Sequence, residues 1–169
     1  MSARGPGSGS AAAAGRAAGA GAALGGAALF AAGAHCAAIE HDENVLLDNP
    51  AVIRVCEGHG VASVNRGPLA MGLLSGKYEH AGVADPKDVR GTNSPGWMRY
   101  FKGGQPSPLF LKKIAAVREI LTSGERTLAQ GAMAWLWARS PSTIPIPGFR
   151  TARQVEENAG AIARGPLLP

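Results

Sequence analysis

The sequence predicts an α/β domain whose strands lie parallel, and three observations carry that prediction. Short runs suited to strands recur at the start of "CAAIEHDENVLLDNP", in "VASVN" and in "TIPIP". Segments of helical spacing, with their own start and stop residues, stand between and after them. A glycine-punctuated loop, "RGPLAMGLLSGKY", follows the second strand. The resulting order, strand–helix–strand–loop–helix–helix–strand–helix, calls for helical crossovers, and crossovers join parallel strands.

The elements follow in chain order. Residues 1–29 form an Ala/Gly-rich low-complexity head. Arg4 and Arg16 before an apolar stretch resemble a signal peptide, but that stretch is almost all Ala and Gly. The composition better fits a disordered tail or a segment not native to the domain, because Ala and Gly bury too little surface to offset ordering entropy. The domain itself is expected over residues 30–169. Asp48-Asn49-Pro50 supplies an Asx N-cap and a first-turn proline, Val52, Val55 and Cys56 continue at helical spacing, and Gly58 and Gly60 stop the helix. Gly67, Gly72 and Gly76 mark a loop whose backbone can approach a ligand. A long polar connection runs from there to "SPGWMRYFKGGQ", a length typical of lids and binding loops. Ser107-Pro108 starts a helix with Leu111, Ile114, Ala115, Val117, Ile120 and Leu121 apolar, and Thr127 caps the next, which ends before Pro141. Leu128, Ala132, Trp135 and Leu136 share one face of it, and Trp137 points elsewhere.

Composition excludes several functions. The formal net charge of +5 is spread through the chain with no run of five or more cations, so it describes a solvated surface and not a nucleic-acid footprint. Cys36 and Cys56 fit no CxxC pattern and read as reduced thiols. His35, Cys36 and His41 lack the further ligands of a zinc site, so no metal is expected. No stretch has the bulky apolar composition of a membrane span. A cytoplasmic location is the expectation.

The stretch "IPIPGFRTARQVEEN" carries the clearest chemistry. A strand ends at a Pro-Gly break, a cation follows at Arg150, and a new helix begins at Thr151, with Gln154 completing a T-x-x-Q capping box. A helix N-terminus offers unpaired N–H groups and partial positive charge. With a cation beside it, a phosphate is the natural occupant.

Three motifs, "NRGPLAMGLLSGKY", "RTLAQGAMAWLWARSPSTIPIPG" and "QVEENAGA", together resemble the C-terminal part of the aldo-keto reductases, over about residues 30–169. These enzymes are (β/α)8 barrels that reduce aldehydes and ketones with NADPH. The resemblance implies a partial (β/α)8 TIM barrel holding only about strands 6 to 8 with their helices. It also implies a cofactor site. Gly148 and Arg150 would meet the adenosine 2′-phosphate of NADPH, Gln154 would lie in the first turn of the following helix, and Glu157 and Asn158 would face the adenine. Arg66 would stack on the nicotinamide, as a planar guanidinium can, while Gly67, Leu69 and Met71 line the pyrophosphate path. Glu40 stands where the family usually has a Gln for the carboxamide, and a carboxylate cannot donate to the amide oxygen.

The resemblance also implies an absence. The family's catalytic Asp, Tyr, Lys and His belong to earlier strands, and Tyr78 and Tyr100, the only tyrosines, match neither position nor motif. No residue of this chain is therefore expected to be catalytic, although the family's substrate is a small carbonyl compound. About three strands of the eight leave open edges and an apolar inner face. The chain is expected to need another chain to complete the barrel. The alternative reading is a non-catalytic NADP-binding or subunit-interaction fragment. In the long connection, Trp97, Tyr100 and Phe101 are either substrate contacts or packing residues.

Overall fold

The computed structural model describes residues 24–78 and 84–168. The expectation for the head lies outside the described residues as far as residue 23. From residue 24 the chain is helical, α1 (24–31), so the boundary drawn at residue 29 falls inside a helix. Alanine has the highest helix propensity, and Ala27 and Ala31, one turn apart, are buried against Val52, Cys56 and Val61.

Three parallel strands follow: β1 (Ala38–Asp42), β2 (Ala62–Arg66) and β5 (Thr143–Ile146), side by side in that order. Helix α2 (Pro50–His59) makes the first crossover. Its start is where expected, but neither Asp48 nor Asn49 caps it with a side chain. Instead the Asn49 N–H donates to the buried carboxylate of Glu43 at 2.9 Å. The helix runs through Gly58 and stops at Gly60, whose φ of 65° is left-handed.

The second crossover is long. A 3-10 segment (Ala70–Ser75) leads into the connection, where Phe101–Lys102 (β3) and Gln105–Pro106 (β4) form a small hairpin around Gly103 and Gly104, both at positive φ. Helices α3 (Pro108–Leu121) and α4 (Leu128–Arg139) complete it. Thr127 and Gln130 form the reciprocal capping box that starts α4. A Cβ at Gly131 would collide with the backbone of Leu121, so a glycine there lets α4 lie against the end of α3. Ile114 and Leu121 turn inward from α3, whereas Ile120 is exposed.

Leu73, Leu74, Tyr78, Tyr100, Phe101, Leu128 and Ala132 form the main core with those residues. The Tyr78 and Phe101 rings meet edge-on at 4.8 Å between centroids. Tyr100 and Phe101 are therefore buried in this core, and Trp97 alone of that trio is exposed, at 63%.

Strand alternation divides the sheet into two faces. Ser63, Asn65 and Thr143 are buried on the helix side. Register aligns Glu40 with Val64 and Ile144, and Asp42 with Arg66 and Ile146, on the other. On that face Ile144 and Ile146 are 50% and 45% exposed. Helix α5 (Ala152–Arg164) returns along α4, where the Gln130 side-chain amide donates to the Glu157 carbonyl at 3.0 Å.

Candidate functional site

Parallel strands all release their chain at one end of the sheet, and binding loops gather there. Here the loops after β2 and β5 and the first turns of α5 enclose a groove of about 680 Å³. Gly67, Leu69 and Met71 line it from the first loop. Gly148 and Arg150 line it from the second, and Gln154, Glu157 and Asn158 from the helix. Residues more than eighty positions apart in sequence thus share one surface.

The first loop has an unusual backbone. Ala70, Met71 and Gly72 take φ of 48°, 56° and 87° in succession. A non-glycine residue in this region costs on the order of 1–3 kcal/mol and persists only where its surroundings hold it. The Arg90 guanidinium does so here, donating to the Met71 carbonyl at 2.9 Å. A Cβ on Gly72 would stand 3.0 Å from the same guanidinium, so this position needs glycine on both counts.

At the start of α5 the Thr151 hydroxyl accepts from the Gln154 N–H at 3.3 Å. The expected capping box closes differently. Gln154 Oε1 accepts from the N–H of Arg150, one residue before the cap, at 2.7 Å. This bond orients the Arg150 backbone and leaves its guanidinium 78% exposed over the groove. Asn158 Nδ2 is buried with no hydrogen-bond partner among the described residues. An unsatisfied buried donor costs about 1–3 kcal/mol, so a groove lined by one is suited to a ligand bearing an acceptor.

Arg66 and Glu40 lie apart from this groove. Arg66 lines an adjoining cavity of about 460 Å³, together with Asp42, Trp97, Arg99 and Tyr100, and the two spaces share Gly67 and Met71. Its Nε donates to Asp42 at 2.9 Å and its Nη1 lies 3.8 Å from Glu40, and the bond to Asp42 raises its pKa further. Glu40 lines neither space among the described residues. It is an ion-pair partner of Arg66.

Several groove residues carried no signal in the sequence. Asp88 and Arg90 sit in the long connection and form a two-pronged ion pair, with both contacts at 2.7 Å. The Arg90 guanidinium holds the Asp88 carboxyl well below the usual carboxylate range. Phe149 and Arg153 also line the groove. Among the described residues no His, Cys, Asp or Glu cluster is placed to hold a metal ion, and no helix is long and apolar enough to cross a membrane.

Residues 27–168 match the sequence model described as the aldo/keto reductase family. The chain is 32% identical over 126 residues to aldo-keto reductase str7 of Strobilurus tenacellus, covering 73% of this chain and 36% of that protein. It is 32% identical over 108 residues to the chloroplastic pyridoxal reductase of Arabidopsis thaliana, covering 64% of this chain and 26% of that one. It is 27% identical over 113 residues to the aldo-keto reductase yakc [NADP(+)] of Schizosaccharomyces pombe, covering 66% and 31%. The chain thus spans about a third of the length of the curated relatives it matches. It belongs to the aldo/keto reductase family.

Proposed function

We propose that this chain is the cofactor-holding part of an NADP(H)-dependent oxidoreductase that interconverts aldehydes or ketones with alcohols. The observation that carries this reading is the groove, where Arg150, the N-terminus of α5 and the unpartnered Asn158 amide converge on a glycine-bearing loop. The donor set fits a phosphorylated adenine nucleotide. Arg150 and the helix N-terminus suit the 2′-phosphate, Glu157 and Asn158 suit the adenine, and the loop over Gly67, Leu69 and Met71 suits the pyrophosphate. When bound, the nicotinamide supplies a hydride for the carbonyl carbon. Arg66 would hold the ring by stacking, with Glu40 fixing the guanidinium and not the carboxamide. The name of the fission-yeast relative includes NADP(+), in agreement with a phosphate-selective site.

The chain is read as lacking the proton donor of this reaction. A general acid works best with a pKa near the operating pH. Burial pushes the Tyr100 hydroxyl up, and that oxygen already receives the Asn44 amide at 3.0 Å. Tyr78 is 3% exposed and packed edge-on against Phe101. The three strands correspond, in this reading, to strands 6 to 8 of a (β/α)8 barrel, and the exposed Ile144 and Ile146 mark the face that the other strands would cover. A second reading, a non-catalytic NADP-binding or subunit-interaction fragment, draws on that same open face.

Titration of the purified chain with NADPH, and with NADH for comparison, tests the cofactor site. Saturable binding that prefers NADPH supports it, and equal or absent binding removes it. An assay for NADPH-dependent reduction of simple aldehydes tests the missing acid, because turnover above background would show that the chain has one.

A further inference from the structure

The cavity beside the groove differs in character from the groove itself. Its walls are Trp97, Met98, Leu47 and Met71, and its charged groups are Asp42, Arg66 and Arg99. Arg66 is neutralised where it stands, held by Asp42 at 2.9 Å with Glu40 at 3.8 Å. The polar groups deeper in the cavity are also committed. Asn44 donates to Tyr100 Oη and to the Gly67 carbonyl, both at 3.0 Å, and its Oδ1 accepts from the Leu46 N–H. Arg99 is the exception, with no ion pair among the described residues.

The position of Arg99 is set by its neighbours. Met98 and Tyr100 are each 7% exposed, and Tyr100 packs on Phe110 at 5.1 Å between centroids. These buried residues on either side anchor the backbone from which Arg99 projects. The exposed Arg99 guanidinium at the cavity edge offers a planar fork of donors that matches a carboxylate or phosphate. Beside it, Trp97 leaves a large apolar surface exposed at the cavity wall.

We propose that this cavity selects carbonyl compounds bearing an anionic substituent, with Arg99 binding the anion and Trp97 covering the body of the molecule. The proposal rests on the reading of the adjoining groove as the cofactor site, because the shared Gly67 and Met71 bring an occupant of the cavity alongside one in the groove. The anion is a carboxylate or a phosphate ester, which the Arg99 fork recognises alike. Asp42 works with it, since a carboxylate committed to Arg66 leaves no free cation to hold the anion in a second place.

The test is calorimetric titration of the full chain with 4-formylbenzoate, 4-formylphenyl phosphate and benzaldehyde, each with and without saturating NADPH. One or both anionic aldehydes should bind on the order of tenfold more tightly than benzaldehyde. Arg99→Ala should abolish that preference, Arg99→Lys should keep part of it, and benzaldehyde and NADPH affinities should not change. The tighter of the two anionic probes identifies the substituent. Equal binding of all three aldehydes, a preference that survives Arg99→Ala, or no aldehyde binding at all would overturn the proposal. Loss of NADPH affinity in Arg99→Ala would also overturn it, because Arg99 would then serve the cofactor. If NADPH does not bind the chain, the cofactor reading fails by itself. The aldehyde preference in the nucleotide-free titrations still decides the role of Arg99.

Discussion

Asp88 Oδ2 lies 3.7 Å from Arg150 Nη1, which joins the long connection to the cation at the mouth of α5. The same carboxylate is gripped more tightly by Arg90 at 2.7 Å, so Arg90 anchors Asp88 and Asp88 reaches across to Arg150. An anion seated on Arg150 must compete with that carboxylate.

Asp88→Asn should therefore strengthen NADPH binding several-fold while leaving NADH nearly unchanged. At an effective dielectric of about 20, opposite charges about 4 Å apart attract by roughly 4 kcal/mol before screening, of which only a fraction survives at an exposed guanidinium. Parallel titrations of the two nucleotides give the answer. Equal shifts for both would mean that Asp88 acts by shaping the loop and not by competing for Arg150.

Arg150→Ala should do the opposite. It removes one charge-assisted contact, about 1 kcal/mol at this exposure and so roughly five- to tenfold in affinity, for NADPH only. The wild-type preference should also shrink as salt rises, because an exposed pair is screened over about 8–10 Å at physiological ionic strength. A salt-independent preference would place phosphate recognition elsewhere.

These contacts show what the sequence could and could not reveal. The Thr127 cap and the start of α5 were legible because capping is a local interaction with fixed spacing. The strands were legible because their alternation with helices leaves few topologies. Asn49 was misread: its side chain makes no capping bond, and the contact that fixes this corner is its own N–H donating to Glu43, a buried carboxylate that no local spacing announces. The Ala-rich helix at 24–31 was missed because alanine buries little on its own, and its burial becomes visible only against Val52 and Cys56. Asp88 gave no signal because its partner Arg150 is brought near only by the fold, from the far side of two helices. The Gly103–Gly104 hairpin did carry a local signal, a glycine pair between two short extended runs.

Glu43 gives a prediction about pH. Its side chain is fully buried, and burial pushes its carboxyl from an ordinary value of 4.5 up to about 7. His41 lies 3.7 Å away, Asp48 raises the shift and Arg139 opposes it. The folded state thus binds more protons than the unfolded state between about pH 4.5 and 7, so this group's contribution to stability falls as pH rises through that window and is flat above it. The His41 shift is downward, from desolvation, and has the opposite sign below its ordinary value of 6.5. Comparing wild type with Glu43→Gln isolates the carboxyl. The variant should gain on wild type by up to about 2–3 kcal/mol between pH 5 and pH 8. Parallel stability curves for the two proteins would mean that Glu43 titrates normally.

The open face of the sheet gives the last prediction. Ile144 and Ile146 alternate along β5 with half their surface in water, beside Val64 and Arg66 in the neighbouring strand. The outer edges of β1 and β5 carry no strand among the described residues, and unpaired strand edges recruit other chains. Burying two such isoleucines stabilises an association by roughly 1–2 kcal/mol each, enough to drive assembly when edge hydrogen bonds add to it. Ile144→Thr with Ile146→Thr keeps β-branching, and so strand propensity, while removing most of the apolar gain. Light scattering should show wild type as oligomers or larger aggregates at micromolar concentration and the double variant as smaller species. Circular dichroism should stay unchanged, because neither isoleucine belongs to the core between sheet and helices. A wild-type chain that stays monomeric and melts cooperatively would mean that the three-stranded unit is stable alone, with its inner face in water. The barrel-completing partner would then lose its physical motive.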